Sequence, residues 1–380
     1  MSKTKDLSTS QMMDSAFSAA EPSISAAAES AESAEYAEKV EESNLSVQSF
    51  TSASTDLPVK ILQDMDLLHS ILARGQISPR HIQLIITNKC NLAQSKAHKC
   101  QWCSCDREDR SKALTYAAIE ALLTEAKQLG CQAITITGGG EPLMHPDFAR
   151  IIDLAYSLGI KIGLVTNGWL LYRYPPELFD KITWARISLG DGRIIELKPI
   201  YWEKLASVIS KTAQIDWSFS YVWVGHDLLP PLLLQAIEFA NRHGFTHIRL
   251  VEEIISAGDQ TARPISSLRE SVHAQVDDHL VIYQGRSKPT AGNPKCLISL
   301  LKPVISATGE IFPCCGVQYA LDPPSLCMDK RMKMGEIKDF ANIIANQAYF
   351  RGDICHKCYY EGYNRLLGQL SSPLKHREFV

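Results

Sequence analysis

A chain of 380 residues suggests two or three domains, at about 150 residues each. With 45 % hydrophobic and 21 % charged residues it has the composition of an ordinary folded protein. No apolar run nears the roughly 20 residues that span a bilayer, and the acidic N-terminus lacks the basic and apolar regions of a secretory signal. A net charge of −3 gives no direct nucleic-acid signal. A cytoplasmic protein with no membrane partner is expected.

Residues 1–55 hold nine acids, three bases, 14 Ser and 10 Ala, with no Cys, Trp or Gly. Such a segment cannot bury enough apolar area to offset its ordering entropy. It is expected to be a disordered acidic tail rich in Ser, Ala and Glu. Residues 56–79 read as one amphipathic helix with Leu62, Leu67, Leu68 and Leu72 apolar, stopping at Gly75 and packing across the bottom of the sheet that follows.

From residue 80 onward strands alternate with helices. The predicted strands are His81–Thr87, Cys131–Thr137, Ile160–Thr166, Trp184–Leu189, Trp217–Val224 and His247–Val251. Helical periodicity appears in Ala113–Leu129, His145–Leu158, Ile200–Lys211 and Leu232–His243. Six such units predict a parallel sheet under crossover helices, an α/β fold of the partial (β/α)6 TIM-like barrel type over residues 80–285. Ligands of parallel sheets sit at the C-terminal ends of the strands. Cys90, Cys100 and Cys103 follow the first strand and Gly138-Gly139-Gly140-Glu141-Pro142 the second. Thr166-Asn167 follows the third, Ser188 and Asp191 end the fourth, and Glu252 and Glu253 end the sixth. All these groups therefore share one rim. One of the two adjacent glutamates must point inward, which makes Glu252 and Glu253 the candidates for a base or a substrate-cation ligand. The alternative for both is a loop-stabilising charge. The aromatic residues of Trp217–Trp223 are expected to pack, and Cys131 to be a core thiol.

Eleven cysteines stand mostly in two groups. Grouped cysteines without a signal peptide favour metal over disulfides. Three thiolates after strand one suit an iron–sulfur cluster with one open iron, since a closed cubane takes four. Cys105 or His98 would instead complete a zinc knuckle.

With Thr87-Asn88-Lys89-Cys90-Asn91-Leu92 leading in, Cys90-x₉-Cys100-x₂-Cys103, Trp102 before the last cysteine, and Gly139-Gly140-Glu141-Pro142 after the next strand, the sequence resembles the radical S-adenosylmethionine (radical SAM) superfamily. The usual spacing of the first two cysteines is three, so six residues are inserted within Ala93–Lys99. The resemblance implies a [4Fe–4S] cluster on Cys90, Cys100 and Cys103, and S-adenosylmethionine (SAM) held by Gly139, Gly140, Glu141, Thr166, Asn167 and Ser188. It further implies reductive cleavage to a 5′-deoxyadenosyl radical and an electron donor such as flavodoxin or ferredoxin.

In the C-terminal third, Cys296-x₁₂-Gly309-x₄-Cys314 is similar to the opening of the SPASM/twitch auxiliary-cluster domain. Lys302–Ser306 and Glu310–Phe312 read as a hairpin about Thr308-Gly309, and Cys355-x₂-Cys358 closes the set. Residues 286–380 are expected to form a small hairpin-and-helix domain of the twitch kind, with Cys296, Cys314, Cys355 and Cys358 on a second [4Fe–4S] cluster or, alternatively, on zinc. The whole reads as a radical SAM enzyme that oxidises or modifies a substrate, small or nucleotide-like, with the help of the auxiliary cluster. A peptide-modifying maturase is the alternative. A non-catalytic zinc-stabilised binding protein is the alternative of another class.

Overall fold

The computed structural model describes residues 59–93, 99–212, 214–225, 227–253, 263–284 and 290–372. The expected tail over 1–55 and His98 lie outside them. Among the described residues no helix is long and apolar enough to cross a membrane.

One ten-stranded sheet organises these residues. In chain order its strands are β1 (His81–Ile85), β2 (Ala133–Thr137), β3 (Lys161–Thr166), β4 (Trp184–Gly190), β5 (Asp216–Trp223), β6 (His247–Glu252), β7 (Val281–Gln284), β8 (Val304–Ile305), β9 (Glu310–Phe312) and β10 (Gly335–Glu336). Across the sheet the order is β10-β9-β8-β1-β2-β3-β4-β5-β6-β7. Pairing is parallel from β8 through β1 to β7 and antiparallel in β8–β9 and β9–β10. The six expected strands thus lie side by side in chain order, as an α/β partial barrel requires. The C-terminal hairpin continues the same sheet beyond β1, with Val304 paired to Phe312.

Alternate strand residues take opposite faces. Ile82, Leu84, Ile134, Ile136, Ile162, Leu164, Ile187, Phe219, Tyr221, Ile248 and Leu250 enter one apolar layer beneath the helices Tyr116–Gln128, Phe148–Ser157, Pro199–Ile209 and Pro231–His243. Burying each large side chain contributes about 1.5–3 kcal/mol. Trp217 and Trp223 join that layer, as expected for packing aromatics, and Cys131 is a core thiol, 1 % exposed.

Two features differ from the sequence reading. A seventh parallel strand, β7, extends the sheet past β6. Its four residues are all half-buried, and the sequence reading passed over its short apolar run, Leu280-Val281-Ile282-Tyr283. The helix expected over 56–79 is broken into Val59–Leu62 and Met65–Arg74. Asp64 causes the break: its Oδ1 accepts from the Leu67 amide at 3.0 Å as an N-cap, and its Oδ2 pairs with Arg80 at 3.1 Å. The break shifts the buried face to Ile61, Leu67 and Ile71, and leaves Leu62 and Leu72 43 % and 66 % exposed. The pair with Arg80, just before β1, places this helix at the N-terminal ends of the strands, away from the rim that carries the site.

Candidate functional site

The rim is built by close approach of two loops. The run after β2 packs against the segment that leads into Cys90. The Gly140 amide donates to Thr87 O at 3.0 Å and the Glu141 amide to Lys89 O at 2.7 Å. A Cβ on Gly139 would lie 2.0 Å from Asn88 Oδ1, and one on Gly140 2.0 Å from Lys89 O. Only glycine permits that contact.

Arg110, which the sequence reading passed over, ties the cysteine loop to the glycine loop. Its guanidinium donates to Gly139 O at 2.5 Å, Asn88 O at 3.2 Å, Cys105 O at 2.8 Å and Cys103 Sγ at 3.5 Å. Trp102 lies flat against the end of β4, where a Cβ on Gly190 would be 2.4 Å from its ring. The Arg193 guanidinium stands 5.4 Å over the same ring, pairs with Glu196 at 2.9 Å and donates to Ser188 O.

Cys90, Cys100 and Cys103 are brought into one neighbourhood. Burial, then the neighbouring thiols against the Arg193 charge, pushes the Cys100 thiol up to about 11, and burial raises Cys90. Buried thiols become good ligands only on losing their protons to a metal, so binding and deprotonation are coupled here. Cys105 is set apart. It is 4 % exposed, it accepts from Gln318 Nε2 at 3.3 Å, and its Sγ faces Gly138 O at 3.8 Å.

Glu141 is no free carboxylate. Its Oε1 accepts from Thr166 Oγ1 at 2.6 Å and from the Leu143 amide at 3.2 Å, and its Oε2 accepts from the Asn167 amide at 2.7 Å. Asn167 Nδ2 in turn donates to Asn91 Oδ1 at 2.8 Å, one residue beyond Cys90. Gly139, Gly140, Glu141, Thr166, Asn167 and the first cysteine therefore form one bonded unit, with Ser188 on the next strand. Asp191 accepts from Tyr221 Oη and from the Val224 amide, clamping β4 to β5. Glu252 lies on the helix-facing parity of β6 and accepts from the Ile265 amide at 3.2 Å, at the start of the helix Ile265–His273. Glu253, half-buried, follows the strand and donates its amide to Trp223 O at 2.9 Å.

The second cysteine group also assembles. Cys296, Cys314, Cys355 and Cys358 line one cavity. Amide groups aim at its sulfurs: the Gly316 amide reaches Cys314 Sγ at 3.4 Å and Asn364 Nδ2 reaches Cys296 Sγ at 3.9 Å. Burial, then Cys358 and Cys355, pushes Cys296 up to about 12. Cys315 points elsewhere, at Tyr360 Oη, 3.1 Å away. Among the described residues no three Cys, His, Asp or Glu side chains converge on one point as ligands of a single ion would. Each cysteine group shares one neighbourhood: Cys90 and Cys103 act on Cys100, and Cys296, Cys314, Cys355 and Cys358 line the same cavity.

Two buried carboxyls at this rim set a pH dependence. Burial pushes Glu141 up to about 7 against its three donors, and Glu196 up to about 8 against Arg193. A carboxyl whose folded pKa is raised favours the fold fully below its ordinary value of 4.5 and loses that contribution as pH rises through about 7 to 8. His81, pushed down to about 3 by burial and by Lys302 and Lys60, and His247, pushed down to about 4 by burial and by Arg186 and Arg249, act oppositely. They act only as pH falls below about 6.5. The urea midpoint of the full-length chain is therefore expected to fall between about pH 6.5 and about pH 8.5. Glu196→Gln should flatten that fall, and an undiminished slope in the variant would assign it to other groups.

Residues 84–190 match the radical SAM superfamily. The S-adenosylmethionine-dependent nucleotide dehydratase of Selenomonas ruminantium is 35 % identical over 111 residues, 28 % of this chain and 38 % of that protein. The GTP 3′,8-cyclase of Shewanella denitrificans is 35 % identical over 105 residues, 26 % of this chain and 29 % of that protein. The chain thus matches well under half the length of these relatives. Streptococcus suis SuiB, solved with its precursor peptide SuiA, superimposes with a TM-score of 0.54 at 16 % identity, over 86 % of this chain and 84 % of that one. That likeness is one of fold. Residues 84–190 thus match a radical SAM domain, and the relatives that share it here are enzymes.

Proposed function

We propose that this chain is a radical SAM enzyme in which Cys90, Cys100 and Cys103 hold a [4Fe–4S] cluster. One observation carries the reading: the loop that bears three half-buried thiols, the glycine loop and the Thr166-Asn167 turn are tied into a single rim unit by Arg110, Glu141 and the Asn167–Asn91 bond. When bound, the cluster and SAM supply reductive cleavage to methionine and a 5′-deoxyadenosyl radical. The chain's own residues bind, orient and shield. Gly139 and Gly140 let their loop pack directly on Asn88 and Lys89, beside the first cysteine, which sets the backbone that would receive the amino acid moiety of SAM. Glu141 positions that loop against Thr166 and Asn167, and Ser188 lines the neighbouring strand end. Arg110 donates to the Cys103 sulfur, which stabilises the thiolate as hydrogen bonds to cluster ligands do.

Cys296, Cys314, Cys355 and Cys358 hold a second, auxiliary [4Fe–4S] cluster in a twitch-like segment over 286–380. The residues fit it because amide groups already point at two of the four sulfurs. A small redox protein of the flavodoxin or ferredoxin type supplies electrons, and the substrate is a small molecule of the nucleotide type, the class named for the two curated relatives.

Anaerobic reconstitution with iron and sulfide, followed by absorbance near 400 nm and assay of 5′-deoxyadenosine with a chemical reductant, tests the reading. A brown protein that releases 5′-deoxyadenosine from SAM is expected. A colourless protein that binds zinc in both sites and leaves SAM intact would overturn it.

A further inference from the structure

The face of the sheet opposite the helices carries a feature the proposed function does not use. Register sets it out in rows. Arg186 on β4 stands beside Ser218 on β5 and His247 on β6, and the next row toward the rim is Ser188, Ser220 and Arg249. The alternating neighbours Ile187, Phe219, Ile248 and Leu250 all lie in the helix-facing core, so Arg186 and Arg249 project from the concave face. A closed TIM barrel fills that space with Val, Ile and Leu. Here serines leave room and two guanidinium groups enter it.

Neither guanidinium is paired with a carboxylate among the described residues. Arg186 Nε is buried without a hydrogen-bond partner, and the group rests 5.1 Å over the Trp184 ring. Arg249 Nε donates to a neutral acceptor, Gln284 Oε1, at 2.7 Å. Burial and then the Arg249 charge lower Arg186 to about 10. His247, beside them, is held neutral by the same surroundings, and the carboxylate that faces it is Asp216, at the opposite, N-terminal end of β5. Two uncompensated cations in one half-buried space are costly unless an anion joins them.

We propose that Arg186 and Arg249 form a subsite for a phosphate group of the substrate, a deepening of the proposed function on which it rests. A phosphate monoester carries about −1.5 to −2 charge at pH 7, which matches two guanidinium groups. A single carboxylate leaves one unmatched. Planar guanidinium forks also fit phosphate oxygens bidentately. Arg249 shares its row with Ser188 two strands away, a separation of about 10 Å at ordinary strand spacing. A phosphate held there leaves the rest of a small substrate facing the rim unit.

The test is calorimetric titration of the full-length, reconstituted chain with inorganic pyrophosphate at fixed ionic strength. Binding is expected, weakened about tenfold or more by Arg186→Gln or Arg249→Gln alone, lost in the double variant, and partly recovered in the double Lys variant, since a lysine keeps the charge and loses the fork. Unchanged affinity in the double Gln variant would overturn the subsite. Should the variants fail to fold, the wild-type chain still decides. Pyrophosphate must raise its unfolding midpoint above that in chloride of equal ionic strength, and more than a short Glu-rich peptide does. An equal or larger shift from the peptide would overturn phosphate in favour of a carboxylate ligand. Iron content and 5′-deoxyadenosine release are read on the same wild-type sample. Their absence with pyrophosphate still bound would overturn the radical SAM reading alone. Their presence without pyrophosphate binding would overturn the subsite alone.

Discussion

Replacing any one of Cys90, Cys100 and Cys103 by Ala is expected to reduce SAM cleavage to background, whereas Cys105→Ala should retain it. A cubane with one open iron has three protein ligands and no spare, so each loss removes an iron corner. The four thiols differ physically. Burial raises Cys100, with Cys103 and Cys90 close enough to add to it against the Arg193 charge, and Cys103 receives the Arg110 donor. Cys105 is turned away into contact with Gln318 and Gly138. Its truncation should cost of order 1 kcal/mol of stability and leave the rim unit standing. Assay of 5′-deoxyadenosine on reconstituted variants decides it. An active Cys103→Ala beside a dead Cys105→Ala would exchange their roles and undo the ligand set.

The second large effect concerns iron content. The reconstituted chain is expected to hold about eight irons if both cysteine groups carry cubanes. A Cys355→Ala/Cys358→Ala variant should fall to about four and still cleave SAM slowly. The two groups are built by different residues: the first by the loops after β1 and β2, the second by Cys296, the end of the β8–β9 hairpin and the 355–358 turn. The chain segments that follow Cys103 and Cys314 are nevertheless bonded to each other. The Met328 amide donates to Glu108 Oε1 at 2.6 Å and the Arg107 amide to Leu326 O at 3.2 Å. Slower cleavage in the variant follows from loosening that contact. A wild-type content near four irons, unchanged in the variant, would remove the auxiliary cluster.

Much of this molecule was legible in one dimension. Alternation and β-branched runs located β1 to β6, because a strand buried under helices needs an apolar residue at every second position. Cysteine spacing and the glycine run located the rim, because a metal-binding turn and a close backbone approach each demand one residue type. Arg110 gave no such signal. One arginine among several in a polar loop becomes a four-way tie only when the loops after β1 and β2 meet. Arg186 and Arg249 left a fainter trace, a lone cation inside the apolar strands Trp184–Gly190 and His247–Glu252. Their importance lies in register, which sets them on adjacent rows of one face, and no local pattern encodes register between strands 60 residues apart in sequence. Glu141 shows the same division. Its place after the glycines was readable, but its buried carboxyl is spent on Thr166, Asn167 and Leu143. The sequence by itself determined where β1 to β6 lie along the chain and the residue types at the rim, since these follow from local hydrophobic periodicity and ligand chemistry. Only the tertiary structure decided which charges are compensated, because that depends on distances between segments remote along the chain and on the burial they create together.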